Sequence, residues 1–174
     1  MKTLTAVINC SLLLASIACA SSSQEQNKAL AKRAFEELLS RGQFELAEQL
    51  YAKDFANHGI HRDIGLQEDQ EALKGWHQAF PDIAIVPKKL IAEGDLVVVY
   101  WVARGTNTGT GNGLPATGKQ VEQAGITIWR IVDGKIKEEW SAFDQLSMMK
   151  QLGLLPNQET SGASQTDATN KKKE

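Results

Sequence analysis

The sequence predicts an α+β domain in which three helices pack on one face of a curved antiparallel sheet, with a short helix after the sheet. Apolar residues recur at helical spacing in the first half of the 174-residue chain, up to Pro81. Strand-like runs follow between Ile83 and Phe143, and Asp133-Gly134, a dipeptide that tight hairpin turns prefer, separates the last two runs. Helices first and strands second is the order typical of this fold class.

Three amphipathic helices are predicted before the strands. The first covers Asn27 to Arg41, where strong helix formers carry apolar residues on one side and Gly42 follows as a stop. A second, short helix covers Phe44 to Tyr51, and a third covers Gln67 to Phe80 before a proline. The segment 54–61 between the second and third helices is predicted to be irregular.

Four strands are predicted to form an antiparallel meander. They are separated by turn residues and by a glycine-rich loop, and they cover Ile83–Ala92, Leu96–Thr106, Gln120–Val132 and Lys135–Phe143. Residues 96–102 are apolar on both faces of their strand, which predicts a central strand covered on each side. From Gln145 the spacing becomes helical again, and Gly153 ends this last helix before Pro156.

The last strand and the helix after it contain the main candidate for catalysis. Alternate side chains of a strand share a face, so Glu138, Trp140 and Asp144 are predicted to point the same way. Glu139 and Phe143 are predicted on the opposite face. Asp144 is either the N-cap of the helix, which lowers its pKa, or a group at the rim of a pocket beside Trp140, where burial raises its pKa.

The first residues are predicted to be an export signal rather than part of the fold. A mainly apolar run from Leu4 to Ala20 follows Lys2 and has the length of a signal's hydrophobic segment. Residues 16–19 are similar to a bacterial lipobox, in which Cys19 is lipidated and becomes the first mature residue. The small residues around Cys19 also fit an ordinary signal peptidase site, but the polar run 21–26 suits the tether of a lipoprotein.

These features divide the chain into four parts. The signal is predicted over 1–19, the tether over 20–26 and one α+β domain over 27–156. Residues 157–174 have no apolar periodicity and are predicted to be a disordered tail. One of the two cysteines, Cys10, lies in the signal, so the mature domain can hold no internal disulfide. The formal net charge of -2 and the lack of a basic stripe argue against nucleic acid as a partner.

Several short motifs follow one another along the predicted domain: Asp54-Phe55-x-Asn57-His58-Gly59, Phe80-Pro81-Asp82, Glu93-Gly94-Asp95, Asp133-Gly134-Lys135-Ile136, Glu138-x-Trp140-x-x-x-Asp144 and Gln151-Leu152-Gly153. Their order and spacing, from about Asn27 to Pro156, resemble the SnoaL-like polyketide (ester) cyclases. The resemblance implies a nuclear-transport-factor-like cone, in which three helices lie against a strongly bent antiparallel sheet with a deep apolar pocket between them. Isomerases, dehydratases and non-enzymatic proteins share that fold, so the fold alone does not fix the function.

The resemblance also implies a role for Asp144. In these cyclases an aspartate at this position is the general base that removes a proton beside a carbonyl before an intramolecular aldol closure. A histidine partner comes from the third strand in characterised cyclases, but residues 120–132 contain no histidine. This departure argues against aldol cyclisation itself and leaves proton transfer by Asp144 as the expectation.

Other candidate site residues surround the expected pocket. His58 is a second catalytic candidate that lines the pocket mouth with Asn57, or else a surface cap after a helix end. The four tryptophans suit either the core or an aromatic-walled cavity, and Glu138 suits a cation or a polar group of the pocket wall. The predicted ligand-binding residues are Asn57, Trp76, Trp101, Trp129, Glu138 and Trp140.

Two motif-like patterns do not lead to a cofactor, and none is predicted. His58, His61 and Asp63 are close in sequence, but no fourth ligand accompanies them, so no metal site is predicted. Residues 113–119 follow the phosphate-loop spacing, but Gln120 replaces the serine or threonine that binds Mg²⁺, and a strand follows. This segment is predicted to be a hairpin loop.

The predicted function combines these points. We expect an exported SnoaL-like protein that binds a small apolar carbonyl or ester compound and, as an enzyme, catalyses cyclisation, isomerisation or hydrolysis by proton transfer. The alternatives are a non-catalytic ligand-binding lipoprotein of the same fold and a purely structural exported domain. We also expect membrane attachment only through Cys19, at the outer membrane or a periplasmic membrane face, and without that anchor a periplasmic or secreted protein. A homodimer is expected to pair through an exposed sheet face that carries Ile126, Ile128 and Phe143.

Overall fold

The structure of the protein, a computed structural model, describes residues 22–155. The predicted export signal with Cys19 and the predicted tail over 157–174 lie outside these residues, so both stay predictions. Within the described range, the helices are all too short or too polar to cross a membrane.

The first helix begins earlier than the sequence predicts. Helix α1 covers 22–33 and continues as a π-helix over Ala34–Ser40. Residues 22–26, predicted as part of the tether, are therefore helical, and Glu25 forms an ion pair with Lys28 at 2.5 Å across one turn. The buried side of this helix contributes to the main core and consists of Ala31, Ala34, Phe35 and Leu38.

The segment between the first and third helices differs from the prediction. It begins with a 3-10 helix over Phe44–Leu46 and helix α2 over Ala47–Leu50. Strand β1 then covers Tyr51–His58, and strand β2 covers Asp63–Gly65. The irregular structure predicted over 54–61 is wrong for most of that range, because pairing with two neighbouring strands holds β1 extended. Helix α3 follows over Leu66–Ala79, one residue away from its predicted bounds.

The four predicted strands are all present close to their predicted bounds. Strand β3 covers Ala84–Glu93, β4 covers Leu96–Thr106, β5 covers Gln120–Val132 and β6 covers Lys135–Phe143. Helix α4 follows over Gln145–Leu152. Asp133 and Gly134 have φ values of 51° and 69°, as the predicted hairpin turn requires. Gly153 ends α4 in the left-handed conformation, with φ 70°.

One six-stranded sheet carries these strands in the order β2-β1-β6-β5-β4-β3. Neighbouring strands are antiparallel except β1 and β6, which run parallel. This exception corrects the fully antiparallel sheet of the prediction, and it arises because β1 was not part of the predicted meander. The helices pack on the curved sheet, so the α+β class is confirmed.

One extra residue in β6 changes the face on which its later side chains lie. Ile131 of β5 pairs with Ile136, but the next residue, Arg130, pairs with Glu138, so Lys137 is a β-bulge. Ile136 is fully buried on the inner face. After the bulge the inner face is therefore taken by Glu139 and every second residue after it. Strict alternation along β6 would place Ile136 on the same face as Glu138 and Trp140, but the bulge moves Glu138 and Trp140 to the opposite face.

Asn107, which is fully buried, anchors the glycine-rich loop between β4 and β5. Its side-chain amide donates to the backbone oxygens of Ala79 and Gly109 at 3.1 Å each. Its side-chain oxygen accepts from the backbone and the hydroxyl of Thr117, both at 2.9 Å. The loop is thereby fixed to the end of α3, and a strand follows residues 113–119 as predicted.

The outer face of the sheet, opposite the helices, is apolar in its middle. Val86, Tyr100 and Ile126 lie on the neighbouring strands β3, β4 and β5 and are 44%, 39% and 48% exposed. Ile128 shares this face, two residues along β5, whereas Phe143 lines the cavity on the inner side. The predicted pairing face thus keeps Ile126 and Ile128 but not Phe143.

We predict that two copies of the chain pair through this outer face. Ile126→Asp should convert a dimer into a monomer, because it places a charge in the middle of the apolar patch that the dimer would bury. Light scattering at micromolar concentration measures the mass, and circular dichroism checks that the variant is folded. Ile60→Asp is the matched control, since Ile60 is 98% exposed in the loop after β1. A monomeric wild-type protein would contradict the prediction.

Candidate functional site

A cavity of about 280 Å³ lies between the inner face of the sheet and the helices. Its wall is mainly apolar, with Phe35 from α1, Trp76 from α3 and Met148 from α4. The strands add aromatic side chains, namely those of Tyr51, Trp101, Trp129 and Phe143. The volume is close to the lower end of the roughly 300–1,000 Å³ typical of small-molecule sites.

Two carboxylates lie on either side of one amide in this apolar wall. Asn57 of β1 lies opposite Glu139 in the parallel register with β6. Its Nδ2 donates to Asp69 Oδ1 of α3 at 2.9 Å and lies 3.5 Å from Glu139 Oε1. All three side chains line the cavity. The fold therefore brings together a strand, its parallel neighbour and a helix to form one polar cluster.

Glu139 accepts a hydrogen bond on each of its oxygens. Trp129 Nε1 donates to Oε2 at 2.7 Å, and Ser141 Oγ donates to Oε1 at 2.7 Å. Because Ser141 gives its single proton to Glu139, the 2.8 Å contact with Thr127 Oγ1 requires the threonine to donate. Trp101 Nε1 in turn donates to Thr127 at 3.0 Å. Each group therefore donates to the next, from Trp101 through Thr127 and Ser141, and the last acceptor is the carboxylate.

Burial raises the pKa of both carboxyl groups. Desolvation, followed by the nearby charge of Asp69, raises the pKa of Glu139 to about 7. The hydrogen bonds from Trp129 and Ser141 act in the opposite direction without cancelling this effect. Burial also raises the pKa of Asp69, against its hydrogen bond from Asn57. A carboxyl group that titrates near neutral pH can both accept and return a proton, so Glu139 is suited to acid–base chemistry.

The structure places four of the predicted ligand-binding residues at the cavity and two on the outer face of the sheet. Those that line the cavity are Asn57, Trp76, Trp101 and Trp129. Glu138 and Trp140 lie on the outer side instead, because the bulge in β6 turns them away from the cavity. Glu138 forms an ion pair with Arg130 at 3.0 Å.

His58, a predicted catalytic residue, also lies outside the cavity wall. Its ring stacks on Trp140 with the centroids 4.7 Å apart, and its Nδ1 lies 3.1 Å from Asp63 Oδ2. Within residues 22–155, no three histidine, cysteine, aspartate or glutamate side chains are placed to share a metal ion. The histidine thus belongs to a cluster on the outer face, separate from the polar cluster at Glu139.

Asp144 is the N-cap of α4. Its side chain accepts a hydrogen bond from the backbone N–H of Ser147 at 2.9 Å, which is the capping geometry. The residue is exposed and is not part of the cavity wall. The fold therefore places the predicted base at the surface, while Glu139 on the preceding strand points into the cavity.

Sequence reasoning missed Asp69, Glu139 and Tyr51 as cavity residues. Asp69 carries a usable signal, since it precedes Leu73 by four residues and Trp76 by seven and so lies on the apolar side of α3. A carboxylate on a buried helix face is rare without a specific role. Glu139 has no such local signal, and Tyr51 was assigned to the end of a helix instead of the start of β1.

A profile of the SnoaL-like polyketide cyclases matches residues 29–152. The chain belongs to this family. Among solved structures, this SnoaL-like chain is similar to IdmH from Streptomyces antibioticus, which is described as a candidate polyketide cyclase. The two are 26% identical over 74% of this chain and 99% of IdmH, with a TM-score of 0.65. No protein of curated function matches the chain.

Two further solved structures support the fold. AclR from Streptomyces galilaeus, described as a candidate hydroxylase, is 24% identical over 77% of this chain and 85% of its own, with a TM-score of 0.70. A candidate SnoaL-like polyketide cyclase from a Jannaschia species is 23% identical over 76% of this chain and 95% of its own, with a TM-score of 0.69. The nuclear-transport-factor-like fold expected from the sequence is therefore confirmed.

The raised pKa of Glu139 predicts that ionising this group destabilises the SnoaL-like domain. Its pKa is about 7 in the folded state and near its ordinary 4.5 in the unfolded chain, so the folded state holds more protons between these pH values. The stability of the wild type should therefore fall as pH rises through this window. Glu139→Gln removes the effect. The free energy of unfolding of this variant minus that of the wild type should therefore rise by on the order of 2 kcal/mol as the pH increases through this window.

Urea unfolding of both proteins at several pH values measures this difference. Comparison of the two cancels the contributions of the other carboxyl groups, apart from Asp69, whose raised pKa acts in the same direction. The indole N–H signal of Trp129 in NMR spectra is a second readout, because this group donates directly to Glu139. The same pH dependence in wild type and variant would contradict the prediction.

Proposed function

We propose that this SnoaL-like protein binds a small, mostly apolar carbonyl or ester compound in its cavity and moves a proton of that compound with Glu139. The observation that carries the proposal is a carboxyl group with a pKa of about 7 in an aromatic and apolar cavity. Membership of a family of small-molecule cyclases supports the class of ligand. Cyclisation, isomerisation and hydrolysis can all use a carboxyl group as acid or base.

The proton transfer begins with the ionised form of Glu139. The carboxylate takes a proton from the carbon beside the carbonyl, and the electron pair of the broken C–H bond moves to the carbonyl oxygen to give an enolate. The apolar wall favours the neutral carboxylic acid that results. Return of the proton to another carbon completes an isomerisation.

The charges of the cavity wall favour an uncharged compound. Asp69 and Glu139 are acidic, and Arg104, the basic residue that lines the cavity within 22–155, pairs with Glu122 at 2.6 Å. An anionic ligand near the two carboxyl groups would be repelled, and the repulsion is stronger in apolar surroundings than in water. Carbonyl and ester compounds without an acidic group meet this condition.

Substitution of Glu139 tests the proposed base. Mass spectrometry of small molecules that copurify with the protein identifies the class of compound, and exchange of its hydrogen beside the carbonyl is then followed in D₂O by NMR. Glu139→Gln should slow this exchange by about 10²-fold or more, because the base is lost while the shape of the site is kept. Asp144→Asn is the matched control and should leave the rate unchanged, since Asp144 caps α4 at the surface.

Two alternatives have their own outcomes in this experiment. A loss of exchange in Asp144→Asn but not in Glu139→Gln would return the base to the residue that the sequence predicts. Tight binding of a copurified compound without exchange or turnover would support the non-catalytic ligand-binding protein. His58, stacked on Trp140 at the outer face, takes no part in the proposed transfer.

We also propose that the protein is exported and held on a membrane through lipidated Cys19. The support is the lipobox-like sequence and the polar run after it. Each buried CH₂ of an acyl chain contributes about 0.8 kcal/mol, so two or three chains hold the protein firmly. Cys19→Ala should release the protein from the membrane fraction or block its maturation, whereas Cys10→Ala should not. A wholly soluble wild-type protein that starts at Ser21 would contradict this proposal.

A further inference from the structure

Tyr51 is a polar residue of the cavity wall that the proposed proton transfer leaves unused. It is 2% exposed and lines the cavity from the start of β1. Its hydroxyl oxygen has no hydrogen-bond partner among residues 22–155. A buried hydroxyl without a partner destabilises the fold, and a phenyl ring would fill the same space. The hydroxyl therefore needs an explanation other than packing.

The ring of Tyr51 is held in one position. Phe55 contacts it edge to face at a centroid distance of 4.8 Å, and Trp129 does so at 6.3 Å. Trp129 also donates its indole N–H to Glu139. The tyrosine and the proposed base are thus placed relative to each other by the same indole, as a preorganised site requires.

The hydroxyl is a hydrogen-bond donor throughout the physiological pH range. Burial, together with the nearby charges of Glu139 and Asp69, raises the pKa of Tyr51 well above its ordinary value of 10.0. Tyr51, Glu139 and Asp69 all line the same cavity. A neutral phenol at this place has a proton to share and no acceptor in the described chain.

We propose that Tyr51 donates a hydrogen bond to the carbonyl oxygen of the substrate and stabilises the enolate formed when Glu139 removes the neighbouring proton. The C–H proton goes to Glu139 and the electron pair goes to the oxygen, while the O–H bond of Tyr51 stays intact. This inference rests on the proposed function and narrows its substrate class. The substrate is an uncharged carbonyl compound with a hydrogen on the carbon beside the carbonyl group.

Binding of para-nitrophenol tests the proposed donor without knowledge of the substrate. The phenolate oxygen of this probe resembles an enolate oxygen, because it is negatively charged and bonded to a planar carbon, and its ionisation is visible by absorbance. Tyr51→Phe should weaken phenolate binding at least about tenfold, since a hydrogen bond to a charged oxygen is lost. The melting temperature of Tyr51→Phe should equal or exceed that of the wild type, because the unpaired hydroxyl is removed.

The other tyrosine of the chain provides the matched control. Tyr100 is 39% exposed on the outer face of the sheet, so Tyr100→Phe should bind the probe as the wild type does. Glu139→Gln resembles the neutral acid that forms during the reaction, and it should bind the phenolate more tightly than the wild type because a repelling charge is gone.

The outcomes separate this inference from the function on which it rests. Equal phenolate affinity in Tyr51→Phe and wild type, with tighter binding by Glu139→Gln, would overturn the role of Tyr51 and leave the proposed base in place. Failure of Glu139→Gln to bind the phenolate, although the repelling charge is gone, would also overturn the role of Tyr51, whereas the proposed base is decided separately by the hydrogen-exchange experiment. Weaker binding by Tyr51→Phe alone, with Tyr100→Phe unchanged, supports the assignment.

Discussion

The hydrogen bond from Trp129 to Glu139, 2.7 Å long, joins the hydrophobic core to the proposed site. Trp129 is fully buried, and its indole packs against Phe35 of α1 and Tyr51 of β1. An indole N–H in such surroundings needs an acceptor, and the carboxylate is that acceptor. The core therefore orients Glu139, and Glu139 accepts the hydrogen bond of the buried Trp129 indole. A change in either residue therefore affects the other.

The same arrangement explains why an ionisable group in an apolar wall is tolerated by the fold. Desolvation disfavours the charged form of Glu139, and the hydrogen bonds from Trp129 and Ser141 offset only part of that cost. Without these donors the carboxyl group would lose its partners in the wall. With a stronger partner, such as a guanidinium, it would lose its neutral-range pKa. Reactivity and stability at this site thus depend on the same neutral donors.

Local signals in the sequence account for most of the fold but not for the site. Asp133-Gly134 and the helical spacing after Gln145 are local, and the structure follows them closely. Strand β1 is extended only because β6 and β2 pair with it, which no local pattern reveals. The inner face of β6 was equally hidden, because the bulge at Lys137 shifts the alternation by one residue and so exchanges the faces of every later side chain.

Glu138 and Glu139 show how the pleat of one strand separates two chemistries. Glu138 faces outward, 3.0 Å from the guanidinium of Arg130, a partner that stabilises a carboxylate. Glu139 faces inward, and its donors in the described chain are the neutral groups of Trp129, Ser141 and Asn57. Burial among neutral donors favours the protonated acid, so the inner carboxyl titrates near neutral pH. The acid–base character of Glu139 therefore follows as much from the lack of a cationic hydrogen-bond partner within residues 22–155 as from the burial of its carboxyl group.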